Sequence, residues 1–267
     1  MFRKLKLRPI LSWILAIYLI GGVVLYFLQK KLIFHPEPLS ADYTFKYDIP
    51  FEEMRIRLND KATLSAVLFK ADAPKGMVVY FHGNARNISK YASKAKHFID
   101  HGYSVLMMDY PGYGKSTGPL TEAAIYANAL EMYRVARKFF PPDSILLYGR
   151  SLGTGVAAQL ATVRDCKRLV LEAPYYNMTD MAMRMAPIYP YGYMLEYKFP
   201  TDEYLPKVTA PIVIIHGTDD HTIPLTSGKK LERFLKPGDK FIPIPGADHN
   251  NLDNYPAYGK ALDIALQ

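Results

Sequence analysis

The 267-residue chain is 49% hydrophobic and 22% charged, a balance that excludes disordered, collagenous and low-complexity classes. Its lone cysteine, Cys166, rules out an intramolecular disulfide and a cysteine-rich zinc module. Six of the eight net positive charges come from Arg3, Lys4, Lys6, Arg8, Lys30 and Lys31 in an acid-free stretch, so the body is nearly neutral and no nucleic-acid partner is expected.

Residues 10–28, ILSWILAIYLIGGVVLYFL, carry no charge. As a helix they would extend roughly 28 Å, about the thickness of a bilayer core. A cleaved signal peptide has a shorter apolar core of about 7–15 residues and a small-x-small site just beyond. Gln29-Lys30-Lys31-Leu32-Ile33-Phe34 offers no such site. The stretch therefore reads as an uncleaved transmembrane anchor, with a basic tail over 1–9 and a connector over 29–50. More basic residues precede the span than follow it, which predicts a cytoplasmic N-terminus and a body on the non-cytoplasmic side.

From residue 51 onward the pattern is that of one large domain. Residues 53–58 alternate as a surface strand, and 62–69 continue after the Asn59-Asp60 turn. Short apolar runs of buried-strand type follow at 77–81, 104–108, 145–148, 169–171, 212–215 and 241–244. Between and after them, 89–101, 121–140, 152–164, 226–235 and 253–266 have helix length and composition. This alternation predicts an α/β fold with a mostly parallel central sheet flanked by helices. In such sheets the active site lies beyond the carboxyl ends of the strands.

The residues at those ends are chemically distinctive. The run at 145–148 leads into Gly149-Arg150-Ser151-Leu152-Gly153, a G-x-S-x-G sequence. A serine on a sharp strand-to-helix turn needs glycines two residues before and after it, where side chains would clash. Ser151 is the candidate nucleophile. A serine hydroxyl needs an imidazole to take its proton and a carboxylate to orient that imidazole. His249, after the last apolar run, is the candidate base. Asp220 leads among the acids, with Asp219, Glu172 and Asp248 as alternatives. Met77–Phe81 runs into His82-Gly83-Asn84-Ala85, where a backbone N–H would meet the oxyanion. Asn84 is the first choice for that donor and Ala85 the second; Leu152, following the nucleophile, supplies the other. His82 is expected to order the loop and Asp109 to cap backbone N–H groups. His216, Asp219, Asp220, His221 and His249 also admit a metal-cluster reading, but no H-E-x-x-H spacing supports it and it leaves Ser151 unexplained. Neither a metal nor an organic cofactor is expected.

With HGNA at 82–85, DYPGYGKSTG at 109–118, GRSLG at 149–153, HGTDDHTIP at 216–224 and ADHNN at 247–251, the chain resembles the membrane-anchored branch of the α/β-hydrolase domain-containing proteins. The resemblance spans about residue 50 to the C-terminus. It implies an α/β-hydrolase fold and a triad of Ser151, Asp220 and His249, the acid being the second residue after HGT. Two details depart from the common pattern: Pro111 stands where arginine is frequent, and Asp248 where glycine precedes the histidine. The segment Tyr175 to Tyr197, rich in Tyr and Met, lies where this fold often inserts a lid, here over about 175–200. Methionine tolerates varied shapes, which suits an adaptable apolar lid. The expected activity is hydrolysis of a lipid-like acyl ester or thioester through an acyl-enzyme. A peptidase of the same fold and a non-catalytic tethered binding protein are the rival readings.

Overall fold

The computed structural model describes residues 7–267, with side chains from Pro9 onward. Most of the expected basic tail therefore lies outside the described residues. Helix α1 spans Leu7–Ile33, continuing past the uncharged stretch through Lys30 and Lys31. Those two lysines sit in its last turn, where the unpaired carbonyls carry partial negative charge. Its apolar side chains point outward: Trp13, Ile17, Ile20 and Phe27 are all more than 60% exposed. A helix this long and apolar, with most of its apolar side chains exposed, has the properties of a membrane span.

The body is built on an eight-stranded sheet. Its strands are β1 (Phe51–Asn59), β2 (Ala62–Phe69), β3 (Gly76–Phe81), β4 (Tyr103–Met108), β5 (Ile145–Arg150), β6 (Arg168–Glu172), β7 (Ile212–Gly217) and β8 (Lys240–Ile244). They lie in the order β1-β2-β4-β3-β5-β6-β7-β8. Strand β2 pairs antiparallel with both neighbours, β1 and β4; from β4 to β8 every pairing is parallel. The reason is visible in the residues. Strands β3 to β5 are buried throughout and read as continuous apolar runs, the mark of a sheet covered on both faces. The edge strand β1 alternates and stays partly exposed.

The helices α2 (Ala95–Asp100), α3 (Glu122–Ala136), α4 (Gly153–Val163) and α7 (Pro256–Leu266) cover the two faces, and α5 (Met178–Met185) and α6 (Tyr191–Met194) lie in the segment expected to form a lid. Side chains of alternating parity enter two separate cores. Val79, Leu147 and Leu171 pack under α3 and α4, while Val78, Leu146 and Val170 pack under α2 and α7. Where the sequence suggests one helix over 226–235, the structure has a short α-turn (Leu225–Lys229) followed by a 3-10 turn (Lys230–Phe234). Gly228 in it lies so close to the His216 ring that a Cβ would stand 2.3 Å from Nδ1.

The connector is folded onto the body. Phe34 and Phe45 are buried, and Phe34 packs edge-on against Tyr197 with centroids 4.8 Å apart. His35–Pro36 forms a short parallel ladder with Ala85–Arg86. Asn87 and Asn177 each head a glycosylation-type sequon, but both cap helix N-termini, accepting from Ser89 N and Asp180 N. Asn87 is only 2% exposed, which removes it as a glycan acceptor.

Candidate active site

Ser151 sits between β5 and α4 at φ 52°, a left-handed conformation that a non-glycine residue adopts only when its surroundings impose it. Its N–H donates to the Glu172 carbonyl at 2.9 Å, tying the turn to β6. The flanking glycines are sterically required. A Cβ on Gly149 would lie 2.4 Å from the Gly153 carbonyl oxygen, and one on Gly153 would lie 2.0 Å from the Phe81 carbonyl oxygen. Backbone atoms cannot move aside as a flexible side chain does. Gly153→Ala is therefore expected to cost more than the ~1–3 kcal/mol of ordinary overpacking. Thermal denaturation should show a large drop in Tm, or no folded product should accumulate.

The structure brings Ser151, His249 and Asp220 together from three strand ends. His249 Nε2 lies 3.0 Å from Ser151 Oγ, and its Nδ1 lies 2.7 Å from Asp220 Oδ2. All three residues are buried, with Ser151 7% exposed. The carboxylate accepts further hydrogen bonds at Oδ1 from Thr222 N–H and Ile223 N–H, at 2.9 and 2.7 Å. Burial alone would raise the Asp220 pKa; hydrogen bonds from His216, His249 and the Ile223 N–H, with the nearby His249 charge, outweigh it and hold the carboxyl well below the usual range. Asp220 is thus held as a carboxylate near neutral pH, suited to accept from Nδ1–H and leave Nε2 to face the serine.

The alternative acids are engaged elsewhere. Asp219 is exposed and accepts from the Thr218 hydroxyl. Asp248 accepts from the backbone N–H groups of His221 and His249, so it shapes the loop without touching the imidazole. Glu172 stands opposite Arg150 in the β5–β6 register and pairs with it at 2.8 Å. Its other oxygen accepts from the Tyr148 and Tyr258 hydroxyls. Arg150 also donates to the His249 carbonyl at 2.7 Å. The buried pair therefore holds the backbone of the imidazole residue. The sequence carries no direct sign of this clamp, although an acidic residue ending a buried apolar run is a signal that it must meet a cation. His216, fully buried, donates from Nε2 to the Ile223 carbonyl at 2.8 Å and flanks Asp220. Among the described residues, no group of His, Cys, Asp or Glu side chains is arranged to hold a metal ion.

Asn84 and Leu152 both line the space in front of Ser151. The Asn84 loop is held from several sides. Its carbonyl accepts from His35 N–H and from the Tyr113 hydroxyl, and its side-chain amide donates to the Ile33 carbonyl at 2.9 Å. Ala85 is engaged beside it in the ladder with His35. His82, fully buried, stacks on Tyr91 and lies against Tyr110. Asp109 accepts from Ile88 N–H at 2.8 Å, a backbone cap. Leu152 leads into α4, whose N-terminal dipole faces the same space.

A cavity of about 530 Å³ opens from Ser151, within the ~300–1,000 Å³ usual for small-ligand sites. Met178, Met181 and Met185 of α5 form part of its wall, and Leu25, Gln29, Leu32 and Ile33 of α1 form another.

The family model described as serine aminopeptidase, S33 matches residues 72–201. That stretch includes Ser151 but ends before Asp220 and His249. Human Protein ABHD12B is 33% identical over 207 residues, 67% of this chain and 57% of that protein. The lysophosphatidylserine lipase ABHD12 of Danio rerio is 27% identical over 276 residues, 85% of this chain and 72% of that protein. In structure, the Pyrococcus furiosus esterase Pf2001 superposes with TM-score 0.65 at 18% identity, covering 87% of this chain and 100% of the esterase. The chain has the α/β-hydrolase fold. Among its relatives are proteins named as α/β-hydrolase domain-containing proteins, from Caenorhabditis elegans and Xenopus tropicalis. It spans little more than half the length of the human relative.

Proposed function

We propose that this protein is a membrane-anchored serine hydrolase that cleaves carboxylic ester or thioester bonds of lipid-like substrates. The observation that carries the reading is the continuous hydrogen-bonded line from Ser151 Oγ through the His249 ring to Asp220. In this reading His249 Nε2 takes the Ser151 proton as the oxygen attacks the acyl carbon. The oxyanion is met by the N–H groups of Asn84 and Leu152. The imidazolium, stabilised by Asp220, then gives its proton to the departing alcohol or thiol. Water, deprotonated by the same imidazole, attacks the acyl-enzyme, and the proton returns to Ser151 as the acid leaves.

The lipid-like substrate class is supported by the apolar lid walls of the cavity, by the long apolar helix α1 and by the name of the Danio rerio relative. Basic residues concentrated before the span favour a cytoplasmic N-terminus with the catalytic domain on the other side. A peptidase of the same fold is the second reading, favoured by the serine aminopeptidase match. The test is a panel of acyl esters, thioesters and aminoacyl amides offered to the full-length protein in detergent. Ester or thioester turnover that disappears with Ser151→Ala is the expected result; amide turnover alone would favour the second reading. Asn84→Pro removes the proposed donor N–H. It is expected to lower kcat by about 10²–10³-fold, the usual cost of one oxyanion donor, with little change in KM.

A further inference from the structure

Helix α1 would serve as an anchor if it stood apart from the catalytic domain, but it does not stand apart. The lid lies along it. Tyr189 stacks on Tyr18 with centroids 4.9 Å apart, and the Tyr18 hydroxyl donates to the Ile188 carbonyl. A Cβ on Gly21 would meet the Tyr189 hydroxyl at 2.3 Å, so the small residues Gly21 and Gly22 are what let this ring seat against the helix. Nearer the domain, Gln29 is only 5% exposed on a helix whose apolar side chains are mostly exposed. Its Nε2 donates to the Met194 carbonyl at 3.4 Å and its Oε1 accepts from Glu196 N–H at 2.8 Å. Gln29 thus pins the lid to the helix.

The contacts run from residue 18 to residue 29, about 16 Å of helix at ~1.5 Å per residue. They lie within the candidate membrane-spanning helix Pro9–Ile33. The lid must therefore share the depth of the membrane that α1 occupies. Its outward side chains suit that setting: Met185, Ile188 and Tyr193 are 77%, 65% and 96% exposed. At an aqueous surface such large exposed apolar groups would be costly, whereas against acyl chains they are at home.

We propose that α1 is a structural wall of the acyl-binding pocket, and that the substrate's acyl chain enters from the leaflet between α1 and lid helix α5. The inference rests on the serine-hydrolase reading above and adds to it the route and the selectivity wall. Leu25 and Leu32 of α1 line the same cavity as Met178, Met181 and Ser151. The brace from Asn84 to the Ile33 carbonyl joins this same wall to the loop beside the nucleophile. An acyl chain lying along α1 would place its carbonyl end at Ser151 and its tail toward the bilayer. A substrate with a long acyl chain gains this contact, and an acetyl ester does not.

The experiment uses the full-length protein in detergent micelles with p-nitrophenyl acetate and p-nitrophenyl palmitate. Leu25→Trp and Leu32→Trp fill the pocket from the α1 side, and Ile17→Trp, at a position 68% exposed on the same helix, is the control. Fluorophosphonate labelling of each variant verifies that the nucleophile is intact. The expected result is that the palmitate-to-acetate ratio of kcat/KM falls at least about tenfold in the two pocket variants, the scale on which an apolar pocket discriminates chain length. The control keeps the wild-type ratio. An unchanged ratio in labelled Leu25→Trp and Leu32→Trp, or an equal fall in Ile17→Trp, overturns the wall. Should the wild-type protein hydrolyse neither ester in a Ser151-dependent way, the serine-hydrolase reading itself fails, a result distinct from a ratio that does not move.

Discussion

Replacing Ser151 with alanine is expected to lower kcat for ester hydrolysis by roughly 10⁶-fold, leaving only the modest acceleration that oxyanion donors and binding supply. The reason is geometric. Ser151 Oγ lies 3.0 Å from His249 Nε2, and Ser151 lines the cavity. Alanine retains the elbow but removes the oxygen, so substrate still binds and KM should change little. Asp220→Asn is the companion variant. It keeps the shape but loses the charge that fixes the Nδ1–H tautomer of His249, and a fall of about 10⁴ in kcat is expected. Steady-state kinetics on both proteins, with KM measured alongside kcat, checks the pair of values.

The second large effect concerns stability. Arg150 and Glu172 form a buried ion pair with the Tyr148 and Tyr258 hydroxyls around the carboxylate. Burial works against both charges, yet each overcomes it: the pair with Arg150 depresses the Glu172 pKa, and Glu172 raises that of Arg150. Arg150→Met leaves the carboxylate buried without its cation. Breaking such a pair on one side costs about 3–5 kcal/mol, or roughly 10 °C in Tm for a domain of this size. The same change frees the His249 carbonyl from its Arg150 donor, so kcat should fall in the protein that does fold.

The pH dependence follows with a definite sign. Glu172 and Asp220 both have folded pKa values below their unfolded ones. Their stabilisation is complete above the unfolded carboxylate range, about pH 4, and is lost as pH falls through the folded values. In Arg150→Met, burial without a counter-charge pushes the Glu172 carboxyl up. Its acid destabilisation should therefore begin at higher pH than in the wild type, a shift readable from Tm measured across a pH series.

How much of this was legible in the sequence differs from element to element. The sheet was legible because its strands are short apolar runs bounded by turn residues. The residues that follow them were legible because G-x-S-x-G and the HGTDD and ADHN segments sit at strand ends, where parallel sheets place their chemistry. The Arg150–Glu172 clamp was not, because the residues are brought opposite by the β5–β6 register and by no local pattern. The helix expected at 226–235 breaks into shorter turns where Gly228 presses on the His216 ring, a contact between segments that periodicity cannot express. The docking of the lid on α1 was hidden for the same reason. Tyr18, Gly21 and Gln29 look like ordinary members of an apolar span until Tyr189, Met194 and Glu196 are set beside them.

The central claim is that Ser151 is a nucleophile made reactive by His249. It is tested most directly by treating the full-length protein with a fluorophosphonate and locating the adduct by mass spectrometry. The account predicts one adduct on the peptide that carries Ser151, absent in Ser151→Ala and slowed by orders of magnitude in His249→Ala. Folded wild-type protein that takes up no probe, or an adduct that persists in Ser151→Ala, would contradict it.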